Sequence, residues 1–330
     1  MAKIIPVASG KGGVGKSFFV ANLSIILSEM NQKVISVDLD LGGSNLHTLL
    51  GIKNDIIGLG HFINGKAENF TDIIHETEYP NLSFIPGDGL FLGTANLAYF
   101  RKRKILSELS KLDADWVLLD LGSGSTANTI DFFLISNCGI LVTTPEITAV
   151  LNLYTFLKNS FFRYIIQNFK KKDPIRIKLM EASKMRLEKE DLRFFEFIRL
   201  LKKDFPENEV KIDEIINNFF PKLILNMGNS ERDIMFGENL RSIIHKNLGI
   251  DIEYLGLLPV EEQARECILA RKPVCILNKE SKWVENVRKV ASRLLEFHNY
   301  PLTIFSEDID SLDVVYEDLQ SATGEEIEQE

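Results

Sequence analysis

Cysteine is scarce in this chain: Cys138, Cys267 and Cys275 are the only three in 330 residues. They stand far apart and form no CxxC pair, which excludes a disulfide framework and a zinc site built on paired cysteines. Cys138 and Cys275 lie within apolar runs and read as small core residues. Long hydrophobic runs are missing as well, with no stretch of 18 or more apolar residues, so nothing is expected to span a bilayer. Strand-like sequence begins directly after Met1-Ala2-Lys3, leaving no room for a signal peptide, and a cytoplasmic protein is expected. A strong basic balance is also absent. Residues 302–330 hold ten acidic side chains and no Lys or Arg; setting those ten aside from the net charge of −9 leaves residues 1–301 at +1. Such a near-neutral body carries no strong signal for nucleic-acid binding. The clusters Arg101–Lys104 and Lys170–Lys172 read as solvated helix ends.

What is present is an ordinary globular composition, 45% apolar and 26% charged, in a chain long enough for one large domain or a domain with an insertion. Its first distinctive stretch is Ser9-Gly10-Lys11-Gly12-Gly13-Val14-Gly15-Lys16-Ser17. Gly10, Gly15, Lys16 and Ser17 fit the phosphate-loop pattern of Gly, four residues, Gly, Lys and Ser/Thr. The apolar run Ile4–Ala8 reads as a buried strand feeding the loop, and Val20, Leu23, Leu27 and Met30 recur at helical spacing after it. Strand, glycine loop and helix together surround a polyphosphate with backbone N–H groups and a helix N-terminus. Lys16 then places a cation on the β- and γ-phosphates, and the Ser17 hydroxyl can ligate Mg²⁺.

Lys11, directly after the first glycine, narrows the pattern. Lys-Gly-Gly-Val-Gly-Lys-Ser resembles the deviant phosphate loop of the MinD/ParA family of dimerising ATPases. The resemblance implies a homodimer formed with ATP, in which Lys11 reaches the partner's nucleotide and Lys16 serves its own. It implies ATP/ADP and Mg²⁺ as cofactors, with a nucleotide contacted by Gly10, Lys11, Gly12, Gly13, Val14, Gly15, Lys16, Ser17 and Phe18.

Downstream, Lys33–Val37 reads as a second strand ending at Asp38-Leu39-Asp40, where carboxylates reach the mouth of an open α/β sheet. Asp38, Asp40 and Asn45 match the family's first switch. By that resemblance Asp38 joins the magnesium and water network and Asp40 orients the attacking water, so Lys11, Lys16 and Asp40 form the catalytic set. His47 stands where better-known members carry an acidic residue and is given no chemistry. Trp116–Asp120 is an apolar run ending in a carboxylate, the form of a second phosphate-site strand whose Asp sits near Mg²⁺ through water. Ser17, Asp38 and Asp120 are thus the expected metal set. Asn226, ending the strand Lys222–Asn226, is assigned to the adenine edge by resemblance, with Pro259-Val260-Glu261 beside the expected base pocket.

Short helical stretches are expected around Ile56–Ile63 and Thr71–Glu76, a strand at Leu82–Pro86, a turn at Gly87–Gly89 and a helix over Thr94–Leu112. Between Ala149 and Pro221 lie about seventy residues without a strand, where Phe194, Phe197, Ile198 and Leu201 fit one helix face. The expected fold is α/β, a doubly wound and mostly parallel sheet with helices on both faces and a helical insertion. Residues 1–298 form the ATPase domain with the insertion at about 160–220, and 299–330 read as an acidic, disordered tail. The insertion is expected either to bind a partner or only to cover a sheet edge, and the tail either to solvate the chain or to bind a partner.

No C-terminal CxxC of an iron–sulfur carrier is present, and no basic membrane helix of MinD type ends the chain. Thr143-Thr144-Pro145-Glu146 and Asp-Leu-Gly-x-x-Asn-Leu resemble the FlhG/FleN flagellar-number group most. The function implied is an ATP-hydrolysing switch acting as a positional regulator, of flagellar number or placement. Two alternatives stand beside it: a ParA-like partition ATPase binding non-specific DNA as an ATP dimer, and a nucleotide-stabilised structural dimer with little turnover.

Overall fold

The computed structural model describes residues 2–53, 56–87, 97, 99–186, 194–296 and 311–324. Runs of Val, Ile and Leu form β1 (Lys3–Ala8), β2 (Val34–Leu39), β4 (Leu82–Ile85), β5 (Trp116–Leu121), β6 (Ile140–Thr143), β7 (Lys222–Asn226) and β8 (Glu253–Leu258), with the two-residue β3 (His75–Glu76) at one margin. Their order is β3-β4-β2-β5-β1-β6-β7-β8, parallel throughout except for the antiparallel β3–β4 pair. Every residue of β2, β5 and β8 is buried, as expected of parallel strands covered on both faces. The expectation of a doubly wound, mostly parallel sheet is met.

One face carries α1 (Lys16–Glu29), α2 (Leu46–Leu49), α11 (Ala264–Ala270), α12 (Val274–Leu277) and α13 (Lys282–Leu295). The other carries α3 (Leu59–Ile63), α4 (Tyr99–Leu109), α5 (Ala127–Phe133), α6 (Ile147–Gln167), α7 (Pro174–Arg186), α8 (Phe194–Asp204), α9 (Glu209–Asn217), α10 (Glu231–Leu248) and α14 (Ser311–Thr323). The helical stretch expected over Thr71–Glu76 is instead a 3₁₀ turn, Phe70–Ile73, followed by β3. The turn at Gly87–Gly89 and the first residues of the helix from Thr94 fall largely outside the described residues.

Helices α6 to α9 fill the interval between β6 and β7. Phe161 anchors them, its ring 5.2 Å from Phe194 and 5.2 Å from Phe219. Phe194, Ile198 and Leu201 are buried and Phe197 is half-buried, so α8 turns the expected face inward. Lys102, read as part of a solvated helix end, is instead buried and paired with Asp131 of α5. Its neighbours Arg101, Arg103 and Lys104 remain exposed.

The tail is corrected as well. Of residues 299–330, the segment 311–323 is a helix docked on the sheet, while 299–310 and 325–330 lie outside the described residues. Val314, Val315 and Leu319 are buried on its inner side. Among the described residues β8 pairs with β7 alone, at the end of the strand order. Its Tyr254 N–H donates to Ser311 Oγ at 3.1 Å and its Leu257 N–H to Asp318 Oδ2 at 3.0 Å. Asp318, fully buried, also receives two hydrogen bonds from Arg293 of α13, each 2.8 Å. Charge counting misread this segment because one of its carboxylates is matched by a specific arginine far away in sequence.

Candidate functional site

The strand-to-helix turn between β1 and α1 needs two left-handed residues, and glycines supply them: Gly13 at φ 83° and Gly15 at φ 85°. The turn wraps a cavity of about 530 Å³ at the carboxyl ends of the central strands, lined by Ser9, Gly12 through Phe18, Asp40, Asn45, Thr48, Ser123, Asn226 and Trp283, among others. This is the crevice position expected for ligands of an open parallel sheet. The loop after β5 closes on this turn, with Gly124 N–H donating to Ser9 O at 3.0 Å.

Two carboxylates project from neighbouring strands at the same level, because Asp38 of β2 and Asp120 of β5 are register partners. Lys16 is buried and forms an ion pair with Asp120 Oδ1, while its Nζ lies 3.4 Å from Ser17 Oγ. The other oxygen of Asp120 is buried with no hydrogen-bond partner. Asp38 accepts from Ser44 Oγ at 2.6 Å, Leu46 N at 3.1 Å and Asp40 N at 3.0 Å. Even so, burial and then the Asp120 charge push Asp38 up to about 7. Two carboxyl groups, one of them with an unpaired oxygen, and a hydroxyl make a hard, all-oxygen donor set. That suits Mg²⁺, which takes one or two protein carboxylates together with substrate phosphates. No group of three or more His, Cys, Asp or Glu forms a self-sufficient metal cage among the described residues.

Asp40 lines the cavity rim, and a Cβ at Gly122 would stand 3.3 Å from its Oδ1. Asn226 is buried on the cavity wall, its Nδ2 donating to Val14 O at 2.8 Å and its Oδ1 accepting from Trp283 Nε1 at 3.2 Å. Three expected nucleotide contacts do not line this cavity. Gly10 packs beneath α6, where a Cβ would sit 2.3 Å from the backbone of Asn152 and Leu153. Pro259 is buried, and its neighbours Val260 and Glu261 form the wall instead. Lys11 turns outward, its Nζ 2.9 Å from Glu146 Oε2 and 3.2 Å from Thr148 Oγ1.

Residues missed by the sequence reading cluster on the apolar side: Met227, Ile268 and Trp283. Only the position of Trp283, in the first turn of an amphipathic helix, marked it at all, and that pattern signals core packing. His47 keeps a buried Nδ1 without a partner, and burial together with Arg271 pulls its pKa down. Burial pushes the Cys275 thiol up to about 12, as for an inert core residue. No helix among the described residues is long and apolar enough to cross a membrane.

The chain is similar to known proteins. The chain is 37% identical over 163 residues to the flagellum site-determining protein YlxH of Helicobacter pylori, covering 47% of this chain and 53% of that protein. It is 33% identical over 151 residues to the septum site-determining protein MinD of the same organism, covering 46% and 56%. The matches thus span about half the length of these curated relatives. Among solved structures, MinD of Pyrococcus horikoshii, complexed with Mg-ADP, superposes with a TM-score of 0.62 at 25% identity over 90% of this chain and 97% of that one. The MinC:MinD complex of Aquifex aeolicus gives 0.58 at 17% identity over 92% of this chain and 100% of that one, a likeness of fold. The profile of the CobQ/CobB/MinD/ParA nucleotide binding domain matches residues 5–274, a span that takes in the glycine turn, both carboxylate strands and Asn226, and to that family the chain belongs.

Proposed function

We propose that this protein is an ATP-binding and ATP-hydrolysing switch that pairs with a second copy when ATP is bound and acts as a positional regulator. The observation that carries the reading is the cluster of Lys16, Asp120 and Asp38 beneath the glycine turn, with a carboxylate oxygen left unpaired beside the lysine. Lys16 would meet the β- and γ-phosphates, and the backbone N–H groups of residues 12–17 would cradle them. Ser17, Asp38 and Asp120 would hold Mg²⁺, directly or through water; when bound it supplies positive charge against the phosphates. Asp40, at the cavity rim, would orient the attacking water. The outward setting of Lys11, 40% exposed and absent from its own cavity wall, supports a role on another chain's nucleotide. The positional role draws on the site-determining relatives named above.

Lys16→Ala is expected to abolish ATP binding, and tight binding by that variant, measured by calorimetry, would overturn the site. Lys11→Ala should bind ATP yet lose ATP-dependent dimerisation in light scattering, with little change in stability because its ion pair is solvent-exposed. Asp40→Ala should accumulate an ATP-bound dimer with turnover lowered about a hundredfold, the scale of losing one preorganised catalytic contact. Unchanged turnover removes its assigned part.

A further inference from the structure

Trp283 is 2% exposed, yet it is part of the cavity wall. Its backbone N–H is fixed by the α13 cap, donating to Ser281 Oγ at 3.1 Å, and Ser281 in turn is bonded to Glu261. Its ring meets Phe18 edge to face with centroids 5.0 Å apart. The indole Nε1–H, which can only donate, is spent on Asn226 Oδ1 at 3.2 Å. The opposite side of that amide is fixed by a group that can only accept, the Val14 carbonyl at 2.8 Å.

A primary amide has two near-equivalent orientations, and here both neighbours select the same one. Flipping Asn226 would set its nitrogen against the indole N–H and its oxygen against the Val14 carbonyl, breaking two buried hydrogen bonds at once. The held amide keeps one acceptor lone pair and one N–H unspent. That pair complements adenine, whose N6 donor lies beside the N7 acceptor. It does not complement guanine, whose O6 and N7 are both acceptors.

We infer that Trp283 is a specificity-determining positioning residue: by fixing the Asn226 amide it makes the cavity prefer adenine to guanine nucleotides. The inference rests on the proposed nucleotide-binding function and adds to it the residue that sets the base preference. Trp283 does this through Asn226.

Calorimetric titration with Mg²⁺-ADP, Mg²⁺-GDP and Mg²⁺-pyrophosphate tests it. Wild-type protein should favour ADP over GDP by about tenfold or more, the range of one good bidentate base contact. Trp283→Phe keeps the ring against Phe18 and removes the N–H. The ADP preference should fall about tenfold in this variant while pyrophosphate affinity stays unchanged. A folded variant with undiminished preference overturns the inference, as does a parallel loss of pyrophosphate binding, which would make Trp283 a support of the phosphate turn alone. If the wild type binds neither nucleotide nor pyrophosphate, the proposed function itself fails. Should Trp283→Phe not fold, Trp116→Phe leaves Trp283 as the sole tryptophan. Its emission should then change on addition of ADP and not of pyrophosphate, and no change at saturating ADP overturns the inference.

Discussion

Asp318→Ala offers a sharp test of how α14 is held. Asp318 receives two 2.8 Å hydrogen bonds from Arg293 and one of 3.0 Å from Leu257 N–H, in a site where the carboxylate is fully buried and the arginine side chain 13% exposed. Deleting the carboxylate strands a buried guanidinium and an edge-strand N–H together. Removing one partner of a buried ion pair costs about 3–5 kcal/mol, because the remaining charge has no solvent to turn to. Arg293 retains one bond, to Leu255 O at 3.0 Å, so about 3–4 kcal/mol is expected. That is a large share of the roughly 5–15 kcal/mol that holds a domain together. Urea unfolding followed by circular dichroism measures it, and a smaller denaturant slope in the variant would report that the helix has already detached. The paired replacement Asp318→Leu with Arg293→Met should recover most of the loss, since no charge is then left buried. A loss below about 1 kcal/mol with an unchanged slope refutes the reasoning.

Gly10→Ala should destabilise the protein by several kcal/mol and weaken nucleotide binding, because its methyl group would meet the α6 backbone at 2.3 Å, where no rotamer can yield; a melting temperature equal to wild type would contradict this. The ligand-free protein should also report on Asp38. Its folded value of about 7 lies above the 3.8 of an exposed aspartate, so the folded state holds the proton more tightly than the unfolded one. The associated stability is complete below about pH 4 and is lost as pH rises through 7. Asp38→Asn does not titrate, so its stability relative to wild type should improve as pH rises from about 4 to about 7, by at most about 1.4 kcal/mol per pH unit, and level off above that. A flat difference across that range contradicts the burial argument.

The phosphate side of the site was readable because each of its parts is local. Glycines at fixed offsets, apolar runs ending in Asp38 and Asp120, and a lysine at the start of α1 each declare themselves within ten residues. The rest of the apolar side was not readable, since it joins Met227, Ile268 and Trp283 from distant segments whose patterns look like ordinary core. The same limit hid Lys102 and α14, where Asp131 and Arg293 turn charged residues inward. Composition weighs charges singly; burial decides them in pairs. Gly10 packs against α6 and Pro259 is buried just after β8, so neither reaches the cavity wall that their neighbours line.

The long helical crossover between β6 and β7 also sets an order of events in time. The six strands through Thr143 and the turns beside them already carry Lys16, Asp38, Asp40 and Asp120, whereas Asn226 follows about eighty residues later and Trp283 later still. At the usual pace of synthesis, that interval lasts on the order of 4–16 s. During it a half-sheet bearing the phosphate cluster would stand with β6 as its bare margin, open to mispairing or to a chaperone. On the proposed reading, the residues assigned to the phosphates would then be in place before those assigned to the base.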